Sequence, residues 1–267
     1  NILGPLGLDD TRAGIPAQLY GQQMAVGWGA LEADGTRPVV GLFDPAGITP
    51  AAGFTASVAD LAKFASWTFR LASSGEEEVL RPSTLREMQR VHYISPDWET
   101  SWGLGFSVRQ EGGTTVVGHG GACPGYRSAL MLAPSESMGV AVAMNAMDDP
   151  GAIARGIAAL VKARGEAAPF DPVAGVDLAD YAGVYSGQPW DSDFMLIPWA
   201  GGLTWLDPDA VEPARALWRL KPLGGDRFRV VTDKGAEREA VTFERDAAGQ
   251  VRAIRRHANL SPRLRGL

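Results

Sequence analysis

The sequence has a single cysteine, Cys123, and only three histidines, His92, His119 and His257. One cysteine excludes an internal disulfide. The histidines are far apart and belong to no metal-ligand motif, and the glycine loops that bind nucleotide phosphates are absent, so the sequence predicts neither a metal ion nor another cofactor. No run reaches the ~20 apolar residues of a membrane-spanning helix, so we predict no membrane span.

Basic charge is also scarce, because 25 lysines and arginines face 31 aspartates and glutamates. The resulting net charge of -6 argues against nucleic acid as a partner. The one dense basic run is better explained as a solvated strand face followed by a ragged tail. It contains Arg252, Arg255, Arg256, Arg263 and Arg265. These features leave open whether the protein is periplasmic, secreted or cytoplasmic.

The first part of the chain alternates between helical and strand patterns. Ser57 and Asp60 have the spacing of a helix cap, and the apolar residues behind them predict a helix to about residue 72. A second helix is predicted near 83–91 and a third over 150–164. Between them, apolar runs separated by turn residues predict an antiparallel meander. Its four strands are predicted at 104–108, 114–117, 128–132 and 139–144. Helices on both sides of a meander indicate an α+β fold.

The remainder of the chain is rich in strand patterns alone. Residues 166–174 are typical of a linker, and three successive hairpins follow it, the first around Gly201-Gly202. We therefore predict a domain over 1–165, a linker, and a small barrel or sandwich over 175–267. Aromatic residues in this last part could form a binding surface for cell-wall material or another subunit, although core packing is their commoner role. The residues concerned are Trp190, Trp199, Trp205 and Trp218.

No serine nucleophile can be identified in the sequence. No serine has a lysine three residues later, and no complete G-x-S-x-G elbow occurs. Ser57 and Lys63 would point in different directions on a helix, so Ser57 is better explained as a cap. What remains is the run Gly118-His119-Gly120-Gly121-Ala122, in which glycines suggest close approach by a ligand or another strand. His119 could donate to a substrate carbonyl or carboxylate, or it could simply end a strand.

Five segments resemble, in the same order, the serine hydrolases of the class C β-lactamase and penicillin-binding-protein type, in particular the esterase and D-aminopeptidase branches. They are 5–11 (PLGLDDT), 53–64 (GFTASVADLAKF), 102–106 (WGLGF), 118–128 (GHGGACPGYRS) and 134–145. The resemblance covers about residues 2–165. A looser one, at 181–185, is to the lipocalin-like β-rich accessory domain of some members.

The resemblance implies roles for the residues around His119. The run from His119 to Gly121 takes the place of the family's third motif, as His-x-Gly instead of Lys-Thr-Gly. His119 would then be catalytic and contact the substrate or polarise a tyrosine–lysine network, and the backbone N–H of Ala122 would stabilise an oxyanion. Gly120, Gly121 and Tyr126 would bind substrate. Arg127 either faces the pocket or is a surface strand residue.

The family's Ser-x-x-Lys and Tyr-x-Asn motifs are expected upstream of Pro5 and do not occur in this sequence. We therefore expect an N-terminal segment or a second chain to supply the nucleophile. This chain alone is expected to be inactive and to expose a large apolar face. The complete protein would hydrolyse a small ester, a peptide or a D-amino-acid amide through an acyl-serine intermediate, with β-lactams less favoured. The alternative is an inactive member that only binds a ligand or partner.

Overall fold

The computed structural model describes residues 1–207, 210, 214, 217–232 and 234–267. They form two compact units, Asn1–Ala158 and Ala159–Leu267. The boundary lies inside the last helix, which continues to Glu166. The predicted boundaries at 165 and 175 therefore stay a prediction. None of the described helices is long and apolar enough to cross a membrane.

The first unit contains a six-stranded antiparallel sheet, a separate two-stranded ribbon, three α-helices and the first half of a fourth. The sheet has its strands in sequence order, β3 to β8, and the ribbon pairs β1 with β2. The strands are β1 (Gly27–Trp28), β2 (Val39–Val40), β3 (Tyr93–Ile94), β4 (Ser101–Trp102), β5 (Ser107–Glu111), β6 (Thr114–Cys123), β7 (Tyr126–Ala133) and β8 (Met138–Met144). The helices are α1 (Thr49–Ala52), α2 (Val58–Ser74), α3 (Pro82–Met88) and α4 (Pro150–Glu166).

Helix α2 begins and ends where its sequence signals lie. The hydroxyl oxygen of Ser57 accepts a hydrogen bond from the backbone N–H of Asp60, 3.2 Å away, which satisfies one of the free donors of the first turn. Gly75 ends the helix with φ 74°, a left-handed conformation that glycine adopts without strain. The predicted helix and its cap are confirmed.

The strands of the meander differ from their predicted limits. The predicted strand 104–108 begins late, because residues 103–106 form a turn in which the N–H of Gly103 donates to the carbonyl of Phe106. The predicted strand 114–117 continues to Cys123, since every residue from Val117 to Cys123 is paired with β7. The glycines between Val117 and Cys123 have little strand preference, so the sequence does not predict a strand there. Pairing with the long apolar strand β7 stabilises the extended conformation instead.

Each face of the sheet is buried by a different helix because side chains alternate along a strand. Val117 and Leu132 pack with Leu71 of α2 in one cluster. Val116 and Met131 face the other way and pack in a second cluster with the small residues of α4, Ala154 and Ala158. This arrangement confirms the predicted α+β fold with a helix-flanked antiparallel sheet.

Asp60, in the first turn of α2, holds the N-terminal loop around Asp10 and Thr11 against the helix. Its carboxylate is 1% exposed and accepts hydrogen bonds from the N–H of Asp10 (2.8 Å), the hydroxyl of Thr11 (2.9 Å) and the ammonium of Lys63 (3.0 Å). Lys63 also donates to the carbonyl of Gly7. Burial by itself raises the pKa of Asp60, but the hydrogen bonds from Lys63, Thr11 and Asp10 outweigh it, and the pKa lies below its ordinary value.

Acid should therefore weaken this attachment. Because the folded pKa of Asp60 is lowered, its contribution to stability is present above the unfolded pKa of about 4 and is lost as the pH falls through the folded pKa. We expect Asp60→Asn to be less stable than the unmodified protein at pH 7 and to lose less stability between pH 4 and pH 2. Thermal unfolding at several pH values measures both. Glu76→Gln, at an exposed carboxylate just after α2, is the control, and equal acid sensitivity of both variants would contradict the assignment.

The second unit is a closed barrel of eight antiparallel strands in which each strand pairs with the next and the last pairs with the first. The predicted barrel or sandwich is thus a barrel. Its strands are β9 (Gly183–Tyr185), β10 (Phe194–Trp199), β11 (Gly202–Leu206), β12 (Trp218–Gly224), β13 (Arg227–Val231), β14 (Glu237–Arg245), β15 (Val251–Arg256) and β16 (Asn259–Gly266). Buried aromatic and aliphatic side chains, among them Tyr185, Phe228 and Phe243, form a hydrophobic core.

Two details of the barrel correct the sequence predictions. The first hairpin turns at Ala200-Gly201, where φ is 44° and 78°, and Gly202 already pairs with Trp199. A Cβ at Gly202 would lie 2.4 Å from the carbonyl oxygen of Leu220, so this glycine serves strand packing and not the turn. The predicted ragged tail is instead strand β16, whose pairing with β9 closes the barrel. Such closure depends on partners distant in sequence.

The four tryptophans of this region do not share one surface. Trp199 is buried, and Trp205 stacks on Phe194 with ring centroids 3.4 Å apart. Trp190 and Trp218 are exposed, and the guanidinium of Arg256 lies 4.8 Å from the centre of the Trp218 ring. Core packing, the commoner role of such residues, thus applies to Trp199 and Trp205, and the alternative of one surface formed by all four tryptophans is excluded.

Candidate active site

Strand β6 extends well past its neighbour β5. Pairing between the two strands ends where Ser107 lies opposite Gly118. Beyond that point, residues 119–123 of β6 are paired with β7 on one side only. Within the part of the chain that the structure describes, the other edge has no strand partner. The run singled out from the sequence, His119 to Ala122, forms this open edge.

The direction of the backbone groups on the open edge follows from the two hairpins that β6 joins. Each hairpin has a two-residue turn. The last strand pair before the turn is Glu111 with Thr114 in one hairpin and Cys123 with Tyr126 in the other. The two residues of such a pair form backbone hydrogen bonds with each other. Because the backbone N–H and C=O groups of successive residues point to opposite sides of a strand, those of the odd-numbered residues from 117 to 123 point toward β7. Those of Gly120 and Ala122 point out of the open edge, so the N–H of Ala122 can donate to an oxygen placed beside the strand.

The imidazole of His119 is held by its own strand. Its Nδ1 lies 2.6 Å from the carbonyl oxygen of Gly120. A carbonyl can only accept, so Nδ1 carries the hydrogen, and in the neutral ring Nε2 is the nitrogen with the free lone pair. The ring of Trp102 packs beside the imidazole, with centroids 5.9 Å apart. His119 is otherwise exposed, so Nε2 is able to accept a hydrogen from a group placed at the open edge.

The face of the sheet that carries the His119 side chain is covered at its two ends, by α2 at one and by a contact between Cys123 and the carbonyl of Ala52 in α1 at the other. Gly139 lies under α2, where an added Cβ would be 3.1 Å from Ala65. Between the two ends, Gly121 lies opposite Ser128, which in turn lies opposite Ala143. Ala143 is exposed, and the Oγ of Ser128 lies 2.3 Å from the position of a Cβ on Gly121. The result is a shallow floor of small side chains beside His119.

Tyr126 anchors the β6–β7 hairpin to the neighbouring ribbon. Its hydroxyl donates to the carbonyl of Ala25 at 2.7 Å, and its ring lies 2.9 Å from where a Cβ on Gly27 would be. Burial raises the pKa of Tyr126, with a smaller contribution from Tyr20, so its hydroxyl remains protonated at neutral pH. The predicted role in substrate binding stays a prediction, and the geometry gives this residue a structural role at the end of the site.

Arg127 lies on the opposite face of the sheet from His119, since it pairs with Ala122. Its Nε is buried and, among the described residues, has no hydrogen-bond partner. The structure thus brings His119, Gly120, Gly121 and the N–H of Ala122 together and places Arg127 apart from the imidazole.

Sequence reasoning missed Ser128 and Trp102 as neighbours of the site. Both lie in segments that carry the resemblance, 102–106 and 118–128, but their positions beside His119 and Gly121 depend on strand register. Groups of three or more acidic, histidine or cysteine side chains that could hold a metal ion do not occur within the described residues.

Comparisons with known proteins agree with this architecture. The model of the family described as Beta-lactamase matches residues 1–164. A search of curated proteins finds no match. A structure of the octameric penicillin-binding protein homologue from Pyrococcus abyssi is similar over 97% of this chain, with 20% identity and a TM-score of 0.53. This chain spans 58% of the length of that protein.

A second solved structure matches a smaller part of the chain. It is a D-stereospecific amidohydrolase from Streptomyces sp., with 24% identity, a TM-score of 0.43, and coverage of 54% of this chain and 42% of that one. The Pyrococcus structure supports the fold of nearly the whole chain. The family model covers more than half of the sequence and includes the open edge of β6. The resemblance seen in the sequence is therefore confirmed: this chain belongs to the family described as Beta-lactamase.

Proposed function

We propose that residues 118–122 form one side of the active site of a serine hydrolase that cleaves ester or amide bonds. The observation that carries this proposal is the open edge of β6, where the N–H of Ala122 points outward and the bond from Nδ1 to Gly120 leaves the Nε2 of His119 free. A strand edge of this kind can hold an acyl group by backbone hydrogen bonds, as in other cases of strand addition.

Ala122 and His119 take different parts in the reaction. The N–H of Ala122 donates to the carbonyl oxygen of the substrate as negative charge develops on it, and such a donor contributes about 3–4 kcal/mol in enzymes where it has been removed. Nε2 of His119 accepts a hydrogen from a hydroxyl or ammonium group of the catalytic network. Gly120 and Gly121 leave room for the acyl group next to the strand.

The nucleophile is proposed to belong to a Ser-x-x-Lys segment outside this sequence, on the same chain or on a second one. Its serine oxygen attacks the carbonyl carbon, and the serine proton passes to the lysine or to a neighbouring tyrosine. The alcohol or amine then leaves with a proton from that network, and water hydrolyses the acyl-serine. Below, the intact protein means this chain together with that segment.

The preferred substrates are small esters, peptides or D-amino-acid amides, with β-lactams less favoured. An imidazole at residue 119 does not provide the permanent positive charge of the lysine in a Lys-Thr-Gly motif. A substrate carboxylate, which β-lactams carry, therefore gains less from this position. Comparing turnover of a short ester, a D-amino-acid amide and a cephalosporin by the intact protein would rank the three, and exclusive cephalosporin turnover would reverse the order.

An active-site serine probe tests the proposal directly. We expect a fluorophosphonate to label the intact protein once, on the serine of Ser-x-x-Lys, and to leave the isolated 267-residue chain unlabelled. Mass spectrometry of the labelled peptide identifies the site. Labelling of a serine within this chain would refute the proposed division of the site. An intact protein that neither reacts nor turns over ester would favour the alternative, an inactive member of the family that binds a ligand.

A further inference from the structure

We infer that the hydroxyl of Ser128 contacts the bound acyl group and positions it beside His119. This inference deepens the proposed function and depends on it. Neither the sequence motifs nor the family match assigns a role to Ser128. Three features of the structure support one: where the hydroxyl lies, its lack of a partner, and the small residues that flank it on the neighbouring strands.

The hydroxyl occupies the space left by the missing side chain of Gly121. The two residues lie directly opposite each other on β6 and β7, and the Oγ of Ser128 is 2.3 Å from an ideal Cβ on Gly121. The Cβ of Ser128 is 3.6 Å from the same point, an ordinary contact, so only the oxygen competes for this space. Gly121 and His119 share a face because they are two residues apart on one strand. The hydroxyl therefore lies two residue pairs along the strands from His119, on the same face.

The hydroxyl has no partner of its own. Across residues 1–207 and the other described positions, no hydrogen bond involves the Ser128 side chain, whereas Ser107 donates to the carbonyl of Gly118 and Ser66 to that of Ala62. Ser128 is only half-buried. An unpaired hydroxyl beside a strand edge is able both to donate to a substrate carbonyl and to accept from a substrate amide. Esters offer only the first of these interactions, and amides offer both.

The surrounding face leaves room for a ligand. Gly121 and Ala143 flank Ser128 on the two neighbouring strands, and neither has a side chain that rises above the floor. α2 and its cluster cover the same face near Gly139, Leu132 and Leu130, and Cys123 contacts the carbonyl of Ala52 in α1 beyond Gly121, so the free space lies between these two contacts. An acyl group bound to the N–H of Ala122 would extend over Gly121 and meet the hydroxyl of Ser128.

The test compares Ser128→Ala with Ser135→Ala in the intact protein. Ser135 is an exposed serine in the turn after β7 and serves as the matched control. We expect Ser128→Ala to lower kcat/KM for a D-amino-acid amide about five- to tenfold, the usual effect of one lost hydrogen bond, with an unchanged melting temperature. The loss should be smaller for the matching ester, which lacks the amide N–H. Ser128→Thr, which keeps the hydroxyl, should recover part of the amide activity.

Gly121→Ala, combined with Ser128→Ala, provides a second test. Its new Cβ would displace the Ser128 hydroxyl, so this variant should lose amide activity as Ser128→Ala does. If both changes act through the same hydroxyl, the double variant should be no less active than the worse single one. Fully multiplicative losses, or a Ser128→Ala variant as active as Ser135→Ala, would overturn the inference. An intact protein that no serine probe labels would instead refute the proposed function itself.

Discussion

His119→Ala is expected to lower kcat/KM of the intact protein for its best ester or amide by about 10²–10⁴-fold, the usual contribution of a group that transfers a proton in catalysis. The reason is the fixed orientation of the ring: the Nδ1–H donates to Gly120 and leaves the Nε2 lone pair at the open edge. No other described side chain at residues 118–122 has a nitrogen or oxygen that could replace it. The rate of labelling by a fluorophosphonate should fall in parallel, because acylation requires the same network.

Two further variants separate the explanations for such a loss. His119→Asn keeps a polar side chain that can accept a hydrogen bond but does not exchange a proton near neutral pH, so an activity close to that of His119→Ala would assign proton transfer to the imidazole. His92→Ala is the control for a lost histidine, since His92 interacts with the carbonyl of Glu87 elsewhere in the unit. An active His119→Ala variant would show that residues 118–122 serve only as a binding edge.

Local signals made most of the helical part of this fold predictable. The Ser57 cap, the apolar spacing behind it and Gly75 determine where α2 begins and ends, and all three act within a few residues. The limits of β6 were not predictable in this way. Its last residues are mostly glycines with little strand preference, and their conformation depends on pairing with β7, a segment with a strong strand pattern.

The site itself was predictable only in part for the same reason. The resemblance pointed to His119 and to the N–H of Ala122, but the direction of that N–H depends on the two turns that fix the register of β6. Ser128 is an ordinary strand residue in the sequence. Its relation to Gly121 appears only when the two strands are paired, because the closest atoms belong to residues seven positions apart on opposite sides of a turn.

The glycines of the 102–106 segment show a case in which a family motif has a purely physical explanation. Gly103 has no positive φ, so its backbone conformation is open to any residue. There is no room for a side chain at Gly103, because a Cβ would lie 2.2 Å from the carbonyl oxygen of Met88 and 2.8 Å from that of Arg90. Both are backbone atoms at the end of α3, and the Met88 carbonyl already accepts from the N–H of Leu104. Relief of the contact would require the backbone to move.

Gly103→Ala should therefore be among the most destabilising single-methyl changes in the first unit. We expect a loss of about 3 kcal/mol, the upper part of the usual range for overpacking. For a unit of this size that corresponds to a melting temperature lower by about 6–12 °C. Differential scanning calorimetry of the protein measures the change. Activity should fall as well, since Gly103 follows Trp102, whose ring packs beside the imidazole of His119.

Two other glycines of the same unit make the comparison specific. Gly105 has φ 77° and no atom within 4 Å of an added Cβ, so Gly105→Ala should cost only the left-handed conformation, about 1 kcal/mol. Gly156 lies inside α4 with the same free space and an ordinary φ, so Gly156→Ala should stabilise the protein by roughly 0.5–1 kcal/mol. The expected order of melting temperatures is Gly156→Ala, unmodified protein, Gly105→Ala, Gly103→Ala. If Gly103→Ala were as stable as Gly105→Ala, the contact with Met88 and Arg90 would not be what requires glycine at this position.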